Sequence, residues 1–132
     1  MRELKEDDLR EPVRAFFRER GYVVFDEPKL FARGIDVVAK QSNIIISVEL
    51  KLRDWRRAVA QVCLDLRVSD YAFVAMPRKA IEKNDELRRE CVRWGVGLLV
   101  VDGGEVKQVL QPVISGRIQP ILRQRFLAKL KV

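Results

Sequence analysis

Two apolar segments joined by a short polar turn constrain the fold of this chain more than any other feature. The first covers residues 34–39 and the second covers residues 44–51. Successive side chains of a β-strand point to opposite faces, and connections of about two residues are common in antiparallel hairpins. We therefore predict a hairpin that turns near residues 41–43 and whose register places Asp36 beside Glu49.

Three charged side chains fall on one face of this predicted hairpin. Strand alternation places Ser47, Glu49 and Lys51 together, with Asp36 on the matching face of the first strand. Two carboxylates at close range repel each other, so that one takes up a proton unless a cation lies between them. Lys51 supplies one positive charge, and Mg²⁺ would supply more because hard cations bind carboxylate oxygens. The alternative is a surface hairpin whose Glu49 and Lys51 form an ion pair worth about 0–1 kcal/mol.

The chain contains no histidine, and this absence excludes several classes of enzyme. Ser-His-Asp hydrolases, Cys-His hydrolases and histidine-ligated zinc sites all require that residue. Cys63 and Cys91 lack the paired spacing of a zinc or redox motif, and each is predicted to be a small buried apolar residue. Any chemistry must therefore depend on carboxylates, lysine and a metal ion.

The hairpin resembles the signature of the PD-(D/E)xK nuclease superfamily, which includes restriction endonucleases, archaeal Holliday junction resolvases and RecB-like nucleases. The matching residues are Gly34-Ile35-Asp36 and, thirteen residues after the aspartate, Glu49-Leu50-Lys51, with glycine where the family often has proline. The helix that follows resembles the family helix that carries a site-facing glutamine, here Gln61. RecB-like members often have a tyrosine four residues later, where this chain has Asp65. The resemblance covers roughly residues 9–77.

This resemblance implies a metal-dependent nuclease that hydrolyses DNA phosphodiester bonds with Mg²⁺ or Mn²⁺, acting in DNA repair or recombination. Asp36 and Glu49 would hold the metal, with the Leu50 carbonyl as a third ligand. Lys51 would orient the attacking water, and Gln61 would steady the water or the phosphate. Small members of the family often dimerise to cut two strands, so we expect an endonuclease and a homodimer. The preferred DNA structure stays open.

The sequence is compatible with two alternative roles for Glu11. Resolvase-like members place a glutamate of the first helix near the metal, which would make Glu11 a further ligand. Alternatively, Asp8 caps that helix and Glu11, three residues later, completes a capping box.

Basic residues are concentrated towards the end of the chain, whose net charge is +7. No acidic residue follows Glu105, and residues 117–131 are predicted to form a basic helix. Such a surface suits DNA because each neutralised phosphate releases counterions, although basic faces also serve solubility alone. The candidates for phosphate contacts near the hairpin are Lys29, Arg33, Arg53, Arg56 and Arg57, unless they are ordinary solvated charges.

The remaining pattern predicts one α/β domain, since 132 residues can bury a core of their own. Helices are predicted at about 55–68 and 79–94, and interior strands at 71–76 and 97–101. This order predicts a mixed sheet with helices on both faces, which is also the three-layer α/β/α restriction-endonuclease-like core implied by the resemblance. No apolar run approaches the roughly 18 residues that span a bilayer, so we expect a cytoplasmic protein. Abundant Glu, Lys and Arg favour a thermophile.

Two other functions remain open at this point. The first is a non-catalytic nucleic-acid-binding module that keeps the fold and binds through its basic tail. The second is a subunit of a larger assembly that contributes either cleavage or recognition. The combination of Asp36, Glu49 and Lys51 favours the enzyme.

Overall fold

A mixed β-sheet lies between two layers of helices in the computed structural model, which describes residues 3–30 and 33–130. The strands are β1 (Val23–Asp26), β2 (Lys29–Leu30), β3 (Arg33–Gly34), β4 (Val37–Gln41), β5 (Ile44–Leu50), β6 (Tyr71–Pro77), β7 (Gly97–Asp102) and β8 (Glu105–Leu110). A 3₁₀ helix, Glu6–Leu9, precedes α1 (Arg10–Arg18), and the other helices are α2 (Trp55–Asp65), α3 (Arg78–Ile81), α4 (Asp85–Trp94) and α5 (Pro120–Lys129).

The six strands of the main sheet follow the order β1-β4-β5-β6-β7-β8. Antiparallel pairs join β1 to β4, β4 to β5 and β7 to β8, whereas β5, β6 and β7 are parallel neighbours. Parallel neighbours require a crossover, which α2 provides between β5 and β6, and α3 with α4 between β6 and β7. This arrangement confirms the predicted α/β fold with a mixed central sheet.

Different helices pack on the two faces of the sheet. Helix α1 packs Val13 and Phe17 on the face that carries Val48 and Phe73. On the other face, α2 and α4 form a second apolar cluster with β6 and β7, while Phe126 of α5 packs in a third cluster with strands β4 and β5. Strands β5 and β6 are therefore buried on both sides, as their nearly continuous apolar sequences predict.

The β4–β5 hairpin has the predicted register. Gln41 pairs with Ile44 across a two-residue turn, and Val37 pairs with Val48, so that the next pair outward is Asp36 and Glu49. One detail differs, because β4 begins only at Val37. Strand alternation over residues 34–39 would place Ile35 on the opposite face from Val38, yet Ile35 shares a cluster with Val38 because it lies outside the regular strand.

Two predicted helix boundaries are wrong. Asp8 lies in the 3₁₀ helix, where its carboxylate accepts a hydrogen bond from the Lys5 amide at 2.7 Å, so Asp8 and Glu11 do not form a capping box. The predicted helix at 79–94 is two helices. Lys83 adopts a left-handed conformation with φ of 57°, and the Asn84 side chain caps α4 by accepting the Leu87 amide at 3.1 Å.

The basic C-terminal helix exists but begins later than predicted. It starts at Pro120, whose missing amide hydrogen is not needed in the first helical turn. Helical spacing over residues 117–131 places four apolar residues on one side, namely Ile118, Leu122, Phe126 and Leu130. Phe126 and Leu130 are buried accordingly, while Ile118 precedes the observed helix. Lys131 lies outside the described residues.

We expect Gly97→Ala to destabilise the fold by about 1–3 kcal/mol through overpacking. A Cβ at Gly97 would lie 2.5 Å from Cδ2 of Phe73, a ring held in an edge contact with Phe17. Chemical denaturation measures the change. Gly104→Ala is the matched control, because a Cβ there meets nothing within 4 Å. Equal stability of both variants would contradict the tight packing between β6 and β7.

Candidate active site

Asp36 and Glu49 meet where strand β5 ends. One oxygen of Asp36, Oδ2, accepts a hydrogen bond from the Leu50 amide at 2.8 Å, which fixes the carboxyl against the hairpin. Burial raises the pKa of Asp36 to about 6, although the Leu50 hydrogen bond acts in the opposite direction, and the neighbouring Glu49 raises the pKa further. The two carboxyls therefore lie together, as the hairpin register predicts.

Asp65 is a third carboxyl at this place, and the sequence analysis noted it only as a departure from the family pattern. It ends helix α2, is fully buried at 0% exposure and contacts the carboxyl of Glu49. Two carboxyls can share a hydrogen bond only when one of them is protonated. Burial, followed by the hydrogen bond and charge of Asp65, raises the pKa of Glu49 to about 8. Burial also raises the pKa of Asp65. The pair therefore retains one proton at neutral pH.

Arg33 bridges these two buried carboxyls. Its Nη1 donates to Glu49 Oε2 at 2.9 Å, and its Nη2 donates to Asp65 Oδ1. One guanidinium and two carboxyls that share a proton add up to zero charge, which suits a buried location. We call Arg33, Glu49 and Asp65 the buried acid cluster. Arg33 is one of the candidates for a phosphate contact. In the structure its guanidinium donates to Glu49 and Asp65.

Lys51 does not join the two hairpin carboxylates through an ion pair in the described part of the chain. Its Nζ lies 3.7 Å from Glu6 Oε2, on the 3₁₀ helix. Its backbone amide donates to the Ala75 carbonyl at 3.1 Å and so continues the pairing of β5 with β6. The predicted convergence of three side chains is thus realised for Asp36 and Glu49, while the ammonium group faces a different carboxylate.

Gln61 and Glu11 occupy different environments. Gln61 lies one helical turn before Asp65, so both residues face the same side of α2, and the backbone carbonyl oxygen of Gln61 accepts from Arg33 Nη2 at 3.4 Å. Glu11 is 70% exposed and pairs with two arginines of its own helix, Arg14 at 3.3 Å and Arg18 at 2.8 Å. The structure therefore places Gln61 beside the buried acid cluster, and Glu11 in exposed ion pairs.

Arg10 supports the site from helix α1, a role that the sequence analysis missed. Its guanidinium donates to the backbone carbonyl of Asp36 at 2.5 Å and also contacts Asp7 and Glu27. Its positive charge acts to lower the pKa of Asp36, although burial dominates. Arg10 is separated from Asp36 by 26 positions in the sequence, so no local motif signals the contact.

Two carboxylates, Asp36 and Glu49, are the residues that could hold a divalent cation at this site. Within residues 3–30 and 33–130, no group of three or more cysteine or acidic side chains is arranged to hold a metal. Asp36 and Glu49 nevertheless offer neighbouring hard oxygen donors, and buried Oδ2 of Asp65 has no hydrogen-bond donor in those ranges unless Glu49 is protonated. A cation at this position would compete with the proton of Glu49 and with Arg33.

The other predicted phosphate contacts lie mostly on the surface. Arg56 pairs with Glu86 at 2.5 Å, and the exposed Arg57 donates its backbone amide to the side chain of Asp54, which caps the start of α2. Lys29 and Arg53 are exposed as well. In the basic tail, Arg123 is structural, because it donates to the Val68 and Asn43 carbonyls and to Asp70.

No known family model matches the sequence, and no curated protein is significantly similar to it. A protein of unknown function from Silicibacter pomeroyi has a similar structure, with a TM-score of 0.74 and 21% identity over 98% of this chain and 85% of that one. Pyrococcus furiosus SfsA, solved in complex with Ca²⁺, is a more distant structural neighbour, with a TM-score of 0.43 and 18% identity over 77% of this chain and 59% of that one. The likeness to the Silicibacter pomeroyi protein supports the mixed α/β fold, and the activity has to be argued from the residues of this chain.

None of the described helices is long and apolar enough to cross a membrane.

We expect Glu49→Gln to remove part of the pH dependence of the free energy of unfolding. Glu49 binds its proton more tightly in the folded state, with a pKa of about 8, than in the unfolded chain, where the ordinary value is 4.5. The folded wild type therefore loses stability as the pH rises from about 4.5 to about 8. Glutamine can donate to Asp65 and accept from Arg33 at every pH, so the variant should lose less stability over this range.

Denaturant titrations of the wild type and Glu49→Gln between pH 4.5 and 8 measure this difference. Glu105→Gln, at the exposed first residue of β8, controls for the loss of one carboxylate. Parallel stability curves for wild type and Glu49→Gln would show that the buried pair does not retain the proton.

Proposed function

We propose that this protein is a metal-dependent nuclease that hydrolyses DNA phosphodiester bonds. The observation that carries the proposal is the pairing of Asp36 with Glu49 at the end of a buried strand, where both have raised pKa values. Burying carboxyls in contact with one another destabilises their charged forms, and functional sites concentrate such groups. A divalent cation would offset that negative charge.

The proposed roles follow from the contacts of each side chain. Asp36 and Glu49 would hold Mg²⁺ or Mn²⁺ through carboxylate oxygens, with the Leu50 carbonyl as a further ligand. A bound divalent metal supplies a Lewis acid for the phosphate and a water of lowered pKa. Lys51 would orient the attacking water and offset charge on the phosphate, and Gln61 would steady either group. For these roles Lys51 must exchange its 3.7 Å contact with Glu6 for the substrate.

Arg33 restrains the proposed site while DNA is absent. It donates to Glu49 and Asp65, so it neutralises the carboxyl pair without a metal. At 30% exposure its guanidinium can reach solvent, and a DNA phosphate is an alternative bidentate partner for it. Transfer of Arg33 to a phosphate would leave Glu49 free to lose its proton and serve as a ligand.

We expect Asp36→Asn to abolish Mg²⁺-dependent cleavage and Lys51→Ala to reduce it by roughly 100-fold or more, the scale of lost proton-transfer catalysis. Asparagine keeps an oxygen that can accept from the Leu50 amide, so the fold should survive. Gel assays on linear, flap and four-way-junction DNA measure cleavage. Lys107→Ala, on the exposed strand β8, removes a positive charge away from the hairpin and should retain activity. Full activity of purified Asp36→Asn would remove the assignment.

A non-catalytic DNA-binding module is the second candidate, favoured by the neutral state of the buried acid cluster. Titration calorimetry with Mn²⁺ separates the two candidates. The nuclease predicts a binding isotherm for the wild type that is lost in Asp36→Ala, with tighter binding at pH 8 than at pH 6 because Glu49 must lose its proton. Absence of Mn²⁺ binding at both pH values, together with salt-sensitive DNA binding, would favour the module.

We also propose DNA as the partner and a homodimer as the active form, since a single site cuts one strand at a time. Sedimentation of the protein with and without duplex DNA tests the oligomeric state.

A further inference from the structure

Both tryptophans of the chain border one groove between helices α2 and α4, away from the buried acid cluster. Its volume is about 450 Å³, within the ordinary range for a small-ligand site. Trp55 stands at the start of α2 and Trp94 at the end of α4, and Arg56 and Arg117 complete the walls. We call these four residues the tryptophan groove.

Arginine side chains stack on both indole rings. The guanidinium carbon of Arg56 lies 4.3 Å from the ring centroid of Trp55, and that of Arg117 lies 4.6 Å from the ring centroid of Trp94. These planar groups place positive charge directly beside flat apolar surfaces. Aromatic rings stack with nucleobases, and arginine both stacks with bases and pairs with phosphates.

A second hollow continues the surface beyond Trp94 and Arg117. It has a volume of about 260 Å³, and the same two residues form one of its walls. Its lining includes Val92, Val113 and Ile114, whose exposures are 66%, 62% and 62%. Exposed apolar side chains that adjoin each other commonly mark a binding surface. The two hollows therefore share Trp94 and Arg117, and each adds apolar surface next to this pair.

The charges around the tryptophan groove leave Arg117 available to an anion. Glu86 pairs with Arg56 at 2.5 Å, and Glu90 pairs with Arg93 at 3.9 Å. The Arg117 guanidinium forms no ion pair with a carboxylate among residues 3–30 and 33–130, where it contacts Trp94 and Cys63, while its backbone amide donates to Ser115 Oγ. The exposed Arg53 and Arg57 add positive charge near the start of α2.

We propose that the tryptophan groove binds single-stranded nucleic acid. Bases stack on Trp55 and Trp94 in place of the arginine side chains that lie over these rings in the free protein, and the backbone phosphates pair with the released Arg117. A single strand fits this surface better than a duplex, because its unpaired bases expose apolar faces to the two hollows, whereas duplex bases are already stacked on each other. Binding here needs neither metal nor cleavage, so this proposal goes beyond the proposed nuclease activity.

Intrinsic fluorescence tests the proposal directly, since both tryptophans of the chain lie in the groove. Oligo-dT of twelve nucleotides is titrated into the Asp36→Asn protein in EDTA, which removes cleavage from the measurement. We expect quenching of the tryptophan emission and an affinity that falls as salt increases. Inorganic polyphosphate and a blunt duplex of equal length are the comparison ligands, and each should bind at least tenfold more weakly at this site.

Two substitutions, Arg117→Gln and Trp94→Phe, locate the site. We expect Arg117→Gln to weaken oligo-dT binding about tenfold, and Trp94→Phe to weaken it by a smaller factor because phenylalanine still stacks. Arg89→Gln, an exposed arginine of α4 that does not line the groove, is the matched control and should bind like the parent. Equal affinity of Arg117→Gln and the control, or equal quenching by polyphosphate, would overturn the proposal.

A failure of this test is distinguishable from a failure of the nuclease proposal. Quenching without cleavage by the wild-type protein supports the tryptophan groove and removes the enzyme. Cleavage without quenching retains the enzyme and removes the groove.

Discussion

The bridge that Arg33 makes between Glu49 and Asp65 is the interaction on which the rest of the site depends. Transferring a charged side chain from water into the protein interior costs several kcal/mol, and only a close partner of opposite charge offsets that cost. Here one guanidinium and one shared proton neutralise two carboxyls that are 2% and 0% exposed. Glu49 lies on β5, Asp65 on α2 and Arg33 on β3. The bridge therefore joins the main sheet to the helix that covers it and to the short strand that precedes the hairpin.

The same bridge connects structure to chemistry. A nuclease needs Glu49 ionised and free to hold a metal, whereas the folded protein without ligands holds Glu49 protonated and bound to Arg33. The two states differ by one proton and the position of one guanidinium. A phosphate near Arg33 would favour the ionised state, because it offers the guanidinium another anion and brings a metal with it. Stability and the proposed activity therefore place opposite demands on the same carboxyl.

Two surfaces with different chemistry lie on the helices that cover one face of the sheet. The inward side of α2 carries Asp65 and the Gln61 carbonyl that contacts Arg33, while its outward side carries Trp55 and Arg56. A short helix of 11 residues thus contributes to both the buried acid cluster and the tryptophan groove.

The sequence by itself determined the elements whose signal is local. The two apolar segments and the short polar turn between them determined the hairpin, and a two-residue turn sets the register that pairs Asp36 with Glu49. Only the tertiary structure decided which charges meet. Asp65, Arg33 and Glu49 are separated by 16 and 32 positions from one another, and the pairing of Lys51 with Glu6 depends on where the 3₁₀ helix packs. Long-range electrostatic partners have no periodicity in the sequence, so folding alone brings them together.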